Sequence, residues 1–431
     1  MADLRRQISV LQEENQRLKR AVRELSCLNE LAQEIGSSLN SESIMAKVIK
    51  RAVESVQAKQ GDVTLIDEKS TERQTLIRAM VSSVKQPAYH LTENLTGWML
   101  AGKRPLVIND PRSDERFSGV AWPEDVKSVI CVPLMVKSKL IGVLSVYNKM
   151  SDGGFDDDDE RLLSIIAAQS AQVIETARLY EEERALLEVK EDLRLAAKIQ
   201  EKLLPKAAPV VSGYDIAGKS LPAQQVGGDY FDFIKTDEAD IAVGVGDVSG
   251  KGLPASLLMA NLQATVRGQA LVGHNCREIV NRSNKLIYRS TAPEKFATFF
   301  LCNFNSRKNL LCYTNAGHNP ALLFPNGEDS PLLLKTGGIP LGIREEFSFL
   351  EELVPFVPGD MLVIYSDGIT EALDSKEDEF GLDRLVGTIA ECRDKPAQEV
   401  HHSILQAVST HVGNAPQHDD ITLLIVKRVQ A

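Results

Sequence analysis

The sequence predicts a multidomain α+β protein, and three observations predict it. At 431 residues the chain exceeds what one hydrophobic core ordinarily organises. Residues 155–204 contain neither Gly nor Pro and are dominated by Ala, Leu, Glu, Lys, Arg and Gln, so one long helix divides the chain. On both sides of it, short alternating apolar runs bounded by Gly, Asn, Asp and Pro are interspersed with amphipathic helical stretches. The expected division is an N-terminal coiled-coil helix over 1–27, a sensor domain over 28–154, a helical coiled-coil linker over 155–204 and an output domain over 205–431.

Composition narrows the class. Apolar residues make up 43% and charged residues 25%, the balance of a soluble globular protein. A formal net charge of -11 argues against nucleic acid, whose phosphates are bound by clustered Lys and Arg, and against an anionic membrane surface. No apolar run approaches the roughly 18–20 residues of a bilayer span, and MADLRRQ lacks the apolar core of a signal peptide, so a cytoplasmic location is expected. Six cysteines, Cys27, Cys131, Cys276, Cys302, Cys312 and Cys392, lie dispersed without C-x-x-C spacing, which predicts buried free thiols.

Taken in order, Leu4, Leu11, Leu18 and Leu25 recur every seven residues with Ile8 and Val22 four residues after a leucine, the seam of a short coiled coil. Asn15 takes an a position, which favours a parallel two-stranded register and hence a parallel homodimer. A monomeric amphipathic helix is the plainer reading of the same pattern. Gly61 to Ile66 reads as a strand, and Val129 to Val136 with Leu140 to Tyr147 as a hairpin across Lys137-Ser138-Lys139. The Phe155–Leu204 helix would extend about 75 Å at 1.5 Å per residue. Leu179, Leu186 and Leu193, joined by Val189, Ala196 and Leu203, give it a two-helix seam, and Pro205 stops it. Such a rod transmits rotation or splaying where a flexible linker would not.

Beyond Pro205, strands are predicted at Gly213 to Ile216, Ile241 to Val245, Phe296 to Phe304, Leu310 to Thr314, Met361 to Tyr365 and Ile421 to Val426, with helices from Pro254 to Gln269 and Arg277 to Ser290. Acid-bearing turns sit at several of these strand ends: Gly227-Gly228-Asp229, Gly246-Asp247-Val248-Ser249-Gly250, Ser366-Asp367-Gly368 and His418-Asp419-Asp420. One Gly-Asp turn is ordinary loop chemistry. Were Asp229, Asp247, Asp367 and Asp419 to converge, they would have to take up protons or hold cations, because two carboxylates 4 Å apart repel by about 4 kcal/mol at an effective dielectric of 20. All-oxygen ligands select hard ions such as Mg²⁺ and Mn²⁺, and a pair of them activates water for attack on phosphorus without a protein nucleophile. The chain carries no C-x5-R loop, no G-x-S-x-G elbow and no Walker A run.

Two family resemblances follow from these motifs. The segment containing LTENLTGWMLAGKRPLVINDPRSDERF and SVICVPLMVKSKLIGVLSVYNK resembles a GAF domain, which implies a six-stranded antiparallel sheet with flanking helices. Asn148, Lys149, Phe155, Asp159 and Glu160 match the NK-x(n)-F-x3-DE signature of cyclic-nucleotide-binding GAF domains, and so imply a small-molecule or cyclic-nucleotide site; the alternatives are another ligand or a bracing role in which residues 156–159 favour a helix N-terminus. In the second half, AAKIQEKLLP, VGGDYFD, GDVSGKGLPASLLMA, NAGHNP, YSDGITEA and DDITLL together resemble the SpoIIE/RsbU-type branch of the PPM (PP2C-like) serine/threonine phosphatases.

That resemblance implies an αββα sandwich with two Mn²⁺ or Mg²⁺ ions between the sheets. It implies as metal and catalytic residues Asp229, Asp247, Asp367 and Asp419, with the Val248 carbonyl as a further ligand; Asp232 and Asp420 neighbour ligand positions and suit a supporting role equally well. His318 in NAGHNP is either a proton donor to the leaving serine oxygen or a brace of its turn, and the second role is preferred. The implied substrate is a phosphorylated small protein, an anti-sigma-factor antagonist of the STAS type in a partner-switching pathway. The rival functions are a non-catalytic phosphatase-like scaffold that binds its partner, or a cyclic-nucleotide sensor with the phosphatase as its readout.

Overall fold

The computed structural model describes residues 40–66, 75–82, 93–235, 240–273, 275–328 and 330–430, together with helical positions 7, 10, 11, 14, 15 and 18. Of the N-terminal seam only Leu11, Asn15 and Leu18 are among them, each helical and exposed; Leu4, Ile8, Val22, Leu25 and Cys27 lie outside the described residues. The chain forms two compact units, Met1–Glu188 and Val189–Ala431. Among the described residues no helix is long and apolar enough to cross a membrane.

The first unit is built on a five-stranded antiparallel sheet. Helix α1 (Ser41–Ser55) starts where the Asn40 side chain accepts from the Ser43 N–H, and it buries Ile44, Met45, Val48, Ile49 and Ala52 along one face. The strands are β1 (Ala58–Ile66), β2 (Thr75–Ser82), β3 (Leu106–Ile108), β4 (Val129–Val136) and β5 (Lys139–Lys149), in the order β2-β1-β5-β4-β3, with helix α2 (Glu93–Gly102) between β2 and β3. The β4–β5 hairpin turns at the expected place, with Lys137 at φ +56°. Helix α3 (Asp157–Leu203) follows as a single element, and Ile166, Ala167, Ala171 and Ile174 on its first third join the core of β1, β4, β5 and α1. The described residues supply five strands where the resemblance implies six.

In the second unit two sheets lie face to face, antiparallel throughout except for one short parallel pairing, between residues 315–316 and 337–338. One contains β7 (Tyr230–Lys235), β8 (Asp240–Val248), β9 (Ala297–Asn305), β10 (Leu310–Ala316) and β13 (Gly337–Gly338), in the order β13-β10-β9-β8-β7, with β14 (Glu352–Pro355) also on β10. The other runs β12 (Leu332–Leu334), β11 (Ala321–Phe324), β15 (Met361–Tyr365), β16 (Ile421–Arg428), β6 (Tyr214–Leu221). Successive side chains alternate across a strand, and here both faces are buried. Val243, Val245, Phe300 and Phe304 pack between the sheets against Leu323, Leu362, Leu424 and Val426. Ala242, Phe299 and Leu301 face outward onto helices α4 (Leu253–Ala270) and α5 (Cys276–Ser290). On the far side Leu322, Val363, Leu423 and Ile425 face helices α7 (Gly381–Cys392) and α8 (Ala397–Val412), while the short α6 (Asp367–Thr370) sits at the end of β15. This is the αββα sandwich.

Sequence patterning placed the central strands and α4 and α5, but not α7 or α8. Helix α7 has Gly381 at its first position and Gly387 inside it, and α8 carries His401, His402 and Ser403 mid-helix, so neither advertises itself by propensity. Cys131, Cys276, Cys302 and Cys392 are buried free thiols, and Cys312 is half-buried. Phe304 anchors the inter-sheet core, its ring centroid 5.5 Å from Tyr214 and 5.1 Å from Phe356. Phe304→Ala is expected to destabilise the second unit by about 3–5 kcal/mol, read as an earlier urea transition for that unit in the full chain.

Candidate metal centre

Each of the four acids is delivered by the end of an element. Asp247 is the penultimate residue of β8, registered opposite Thr298 on β9. Past it, Ser249 pairs with Phe296 through its N–H (2.9 Å) and its hydroxyl, which accepts from the Phe296 N–H at 3.0 Å; Gly250 at φ +103° then turns the chain into α4. Asp229 immediately precedes β7. Asp367 is the first residue of α6, where β15 ends, and Asp419 precedes β16. Gly368 lets the α6 and β16 ends close together: a Cβ on it would stand 2.0 Å from the Asp420 carbonyl oxygen.

Electrostatics couple these ends. Burial, followed by the charges of Asp367, Asp419 and Asp420, pushes the Asp247 carboxyl up to about 7. Asp229 is buried and raised well above the carboxylate range, first by burial and then by Asp247. Asp367 is raised by burial and by Asp419. The Asp229 Oδ2 is buried without a hydrogen-bond partner, a cost a cation would remove. Among the described residues no three His, Cys, Asp or Glu side chains already stand close enough to hold an ion. One cation is present nearby: the Lys251 ammonium lies 2.9 Å from Asp419 Oδ2 and donates to the His418 carbonyl at 2.7 Å. An oxygen-rich, multiply negative donor set with a raised Asp pKa fits a hard divalent ion, which would draw the carboxylates in.

The neighbouring acids do other work. Asp420 accepts from the backbone N–H groups of Ala223 (2.7 Å), Gly228 (2.6 Å) and Asp229 (3.3 Å), and so holds the Asp229 turn against β16. Asp232 is fully buried and receives Arg267 in a fork (2.6 and 2.9 Å) with the Tyr230 hydroxyl at 2.9 Å, tying β7 to α4. His318 braces its turn. Its N–H donates to Asn315 Oδ1 (2.8 Å), its carbonyl accepts from Asn315 Nδ2 (3.0 Å), and its Nδ1 pairs with the Thr298 hydroxyl at 2.8 Å. Burial lowers the imidazole to about 4, so it is neutral at neutral pH, with one ring nitrogen protonated.

In the first unit the signature residues are bonded to protein. Asn148, at φ +59°, accepts from the Lys127 N–H (2.7 Å) and donates to the Asp125 carbonyl (2.9 Å). Lys149 forms a largely buried ion pair with Asp159 at 2.6 Å, and its ammonium lies 5.9 Å from the centroid of the buried Phe155 ring. Asp156 and Asp159 accept from each other's N–H groups, at 3.1 and 2.9 Å, and Glu160 donates its N–H to the Asp156 carbonyl. These contacts pin the end of β5 to the start of α3.

Comparison with known proteins agrees with the fold of both units. The family described as Stage II sporulation protein E (SpoIIE) matches residues 237–429, and a GAF domain matches residues 38–175. The phosphoserine phosphatase RsbU of Bacillus subtilis (strain 168) is 30% identical over 243 residues, covering 56% of this chain and 71% of RsbU. The chain belongs to the SpoIIE/RsbU-type PPM serine/threonine phosphatases. Protein IcfG of Synechocystis sp. is 28% identical over 264 residues, 55% of this chain and 41% of IcfG. Among solved structures, the SiaA-PP2C domain of Pseudomonas aeruginosa aligns with a TM-score of 0.50 at 21% identity, covering 57% of this chain and 99% of that one, a likeness of fold.

For a SpoIIE/RsbU-type phosphatase, one contact escaped the sequence reading. Gln200, near the C-terminal end of α3, grips Gly227 with both ends of its amide: Oε1 accepts the Gly227 N–H at 3.0 Å and Nε2 donates to the Gly227 carbonyl at 2.6 Å. Gln263 of α4 also donates to the Leu203 carbonyl at 3.3 Å. The last turns of α3 are thereby joined to the turn that carries Asp229 and to α4. The signal was present in AAKIQEKLLP, which precedes Pro205, but a lone Gln on a helix does not reveal its partner.

Two outcomes follow from this geometry. With its folded pKa raised to about 7 from 3.8, the Asp247 carboxyl favours the metal-free fold below the ordinary carboxylate range, and that contribution is lost as pH rises through about 7. Thermal unfolding at one fixed Mn²⁺ concentration should therefore show the ion stabilising the chain more at pH 8 than at pH 5.5, the gain at pH 8 being about 2.7 kcal/mol where that concentration is a hundredfold above Kd. Gln200→Leu keeps the side-chain bulk and removes both bonds; the Mn²⁺ concentration for half-maximal turnover should rise on the order of tenfold or more, measured by aryl phosphate hydrolysis.

Proposed function

We propose that this chain is a metal-dependent protein phosphatase that hydrolyses phosphoserine or phosphothreonine on a small protein, with Asp229, Asp247, Asp367, Asp419 and the Val248 carbonyl holding two Mn²⁺ or Mg²⁺ ions. The observation that carries this reading is the electrostatic coupling of carboxylates carried on neighbouring element ends: besides burial, Asp247 is raised by Asp367 and Asp419, Asp367 by Asp419, and the buried Asp229 by Asp247. Such ions, when bound, supply an activated water and neutralise charge on the phosphoryl oxygens. The protein's own part is positional. Asp420 and Gln200 fix the Asp229 turn, the Ser249–Phe296 pair fixes the Asp247 turn, and the neutral His318 fixes Thr298 opposite Asp247. Similarity to RsbU, a phosphoserine phosphatase, supports the same chemistry.

The biological setting we propose is cytoplasmic partner switching, with a phosphorylated STAS-type anti-sigma-factor antagonist as substrate and the GAF unit as regulator acting through the 155–204 linker. Leu179, Leu186 and Val189, on the predicted seam of α3, stand exposed in the single chain, as an unpaired coiled-coil strip would; this supports a parallel homodimer. The test is p-nitrophenyl phosphate and phosphoprotein hydrolysis by the full chain with and without Mn²⁺. Turnover is expected with the metal alone, and Asp247→Asn should abolish it while leaving the fold intact by circular dichroism. Partner binding by Asp247→Asn with no metal-dependent turnover in wild type would favour the scaffold instead.

A further inference from the structure

Beside the acids the fold leaves a cavity of ≈ 240 Å³ between α6, α8 and the loop that returns to β16. Its wall is mostly apolar, formed by Leu405, Val408 and Val412 of α8 with Ile421 of β16, while Gly368 and Asp419 close the side toward the acids. We propose that this cavity is a substrate subsite that receives an apolar side chain flanking the phosphoserine. The inference rests on the phosphatase reading above and adds to it a determinant of sequence preference.

The cavity is continuous with the reacting centre. Asp419 belongs both to the acid cluster and to the cavity wall, and Gly368 follows Asp367 directly. Consecutive Cα atoms are about 3.8 Å apart, so a substrate that places its phosphate at the acids carries its neighbouring residues across this opening. The space suits a large side chain, since a water's share of liquid volume is about 30 Å³. The wall is also fixed in place. Gly413, at φ +61°, ends α8, and the Gln417 amide donates to the Leu221 carbonyl (2.9 Å) and the Asp419 carbonyl (2.8 Å), which holds the intervening loop over the cavity.

The charge around the opening selects further. Glu371 lines the same cavity, and Asp419 adds a second acid at the rim. An acidic residue at the flanking position would meet both, whereas an apolar one is desolvated against leucine and valine. Filling an apolar pocket of this kind discriminates on the order of tenfold to two-hundredfold in kcat/KM.

The experiment uses the full chain with Mn²⁺ and phosphoserine peptides in which Leu, Ser or Glu is placed in turn at each position flanking the phosphoserine, with p-nitrophenyl phosphate as the substrate that cannot reach the cavity. At one flanking position Leu should raise kcat/KM about tenfold or more over Ser, and Glu should lower it. Ser409→Phe and Ala415→Phe, both on the cavity wall, should each remove the leucine gain and leave p-nitrophenyl phosphate hydrolysis unchanged. Equal rates for Leu and Ser at every position, a gain that survives both fillings, or no peptide turnover beside active p-nitrophenyl phosphate hydrolysis would overturn the subsite. Absence of any p-nitrophenyl phosphate turnover in wild type would overturn the phosphatase reading instead.

Discussion

Mutual repulsion of carboxylates gathered at strand ends is the constraint around which the second unit is arranged. Left alone in a buried site, Asp229, Asp247 and Asp367 are driven toward their protonated forms. A fold that nonetheless keeps them together must hold their turns from outside. The sandwich does so by ending β8 and β15, and beginning β7 and β16, beside one another, and by burying both faces of its central strands so that the ends cannot drift. Removing one acid therefore alters both the chemistry and the electrostatic balance of the others.

The supporting bonds distribute that restraint. Asp420 takes three backbone N–H groups from the loop ahead of β7, Gly368 admits the Asp420 carbonyl at a distance no larger residue allows, and Ser366 accepts from Thr422 N–H while donating to the Asp420 carbonyl. Gln200 extends the network to the last turns of α3, so the helix that enters this unit is bonded directly to the turn preceding Asp229. A change in the register or tilt of those turns would reach the acids through two hydrogen bonds. By contrast Asp232, though only three residues from Asp229, is committed to Arg267 and Tyr230 and serves packing between β7 and α4.

Much of this was legible in the sequence, for identifiable reasons. The β4–β5 hairpin, the central strands of the sandwich and the Gly- and Pro-free helix announced themselves through alternation, turn residues and propensity, because local rules and tertiary packing agree there. The acid turns were recognisable because glycines beside an acid at a strand end form an unusual pattern once it is repeated. Helices α7 and α8 were not, since glycine, histidine and serine weaken their local signal and their burial against the second sheet overrides it. Partnerships between distant residues were also hidden: nothing near Gln200 identifies Gly227, nothing near Asp232 identifies Arg267, and the roles of Asn148, Lys149 and Asp159 as braces emerge only when β5 meets α3.

The most direct test of the account is a count of bound metal. Equilibrium dialysis of the full chain against Mn²⁺ at pH 8, followed by metal analysis, should find about two ions per chain in the wild type and loss of binding in Asp247→Asn. Wild-type protein that binds no Mn²⁺ at millimolar concentration, or an Asp247→Asn variant that binds it undiminished, would contradict the claim that these carboxylates form a two-metal centre.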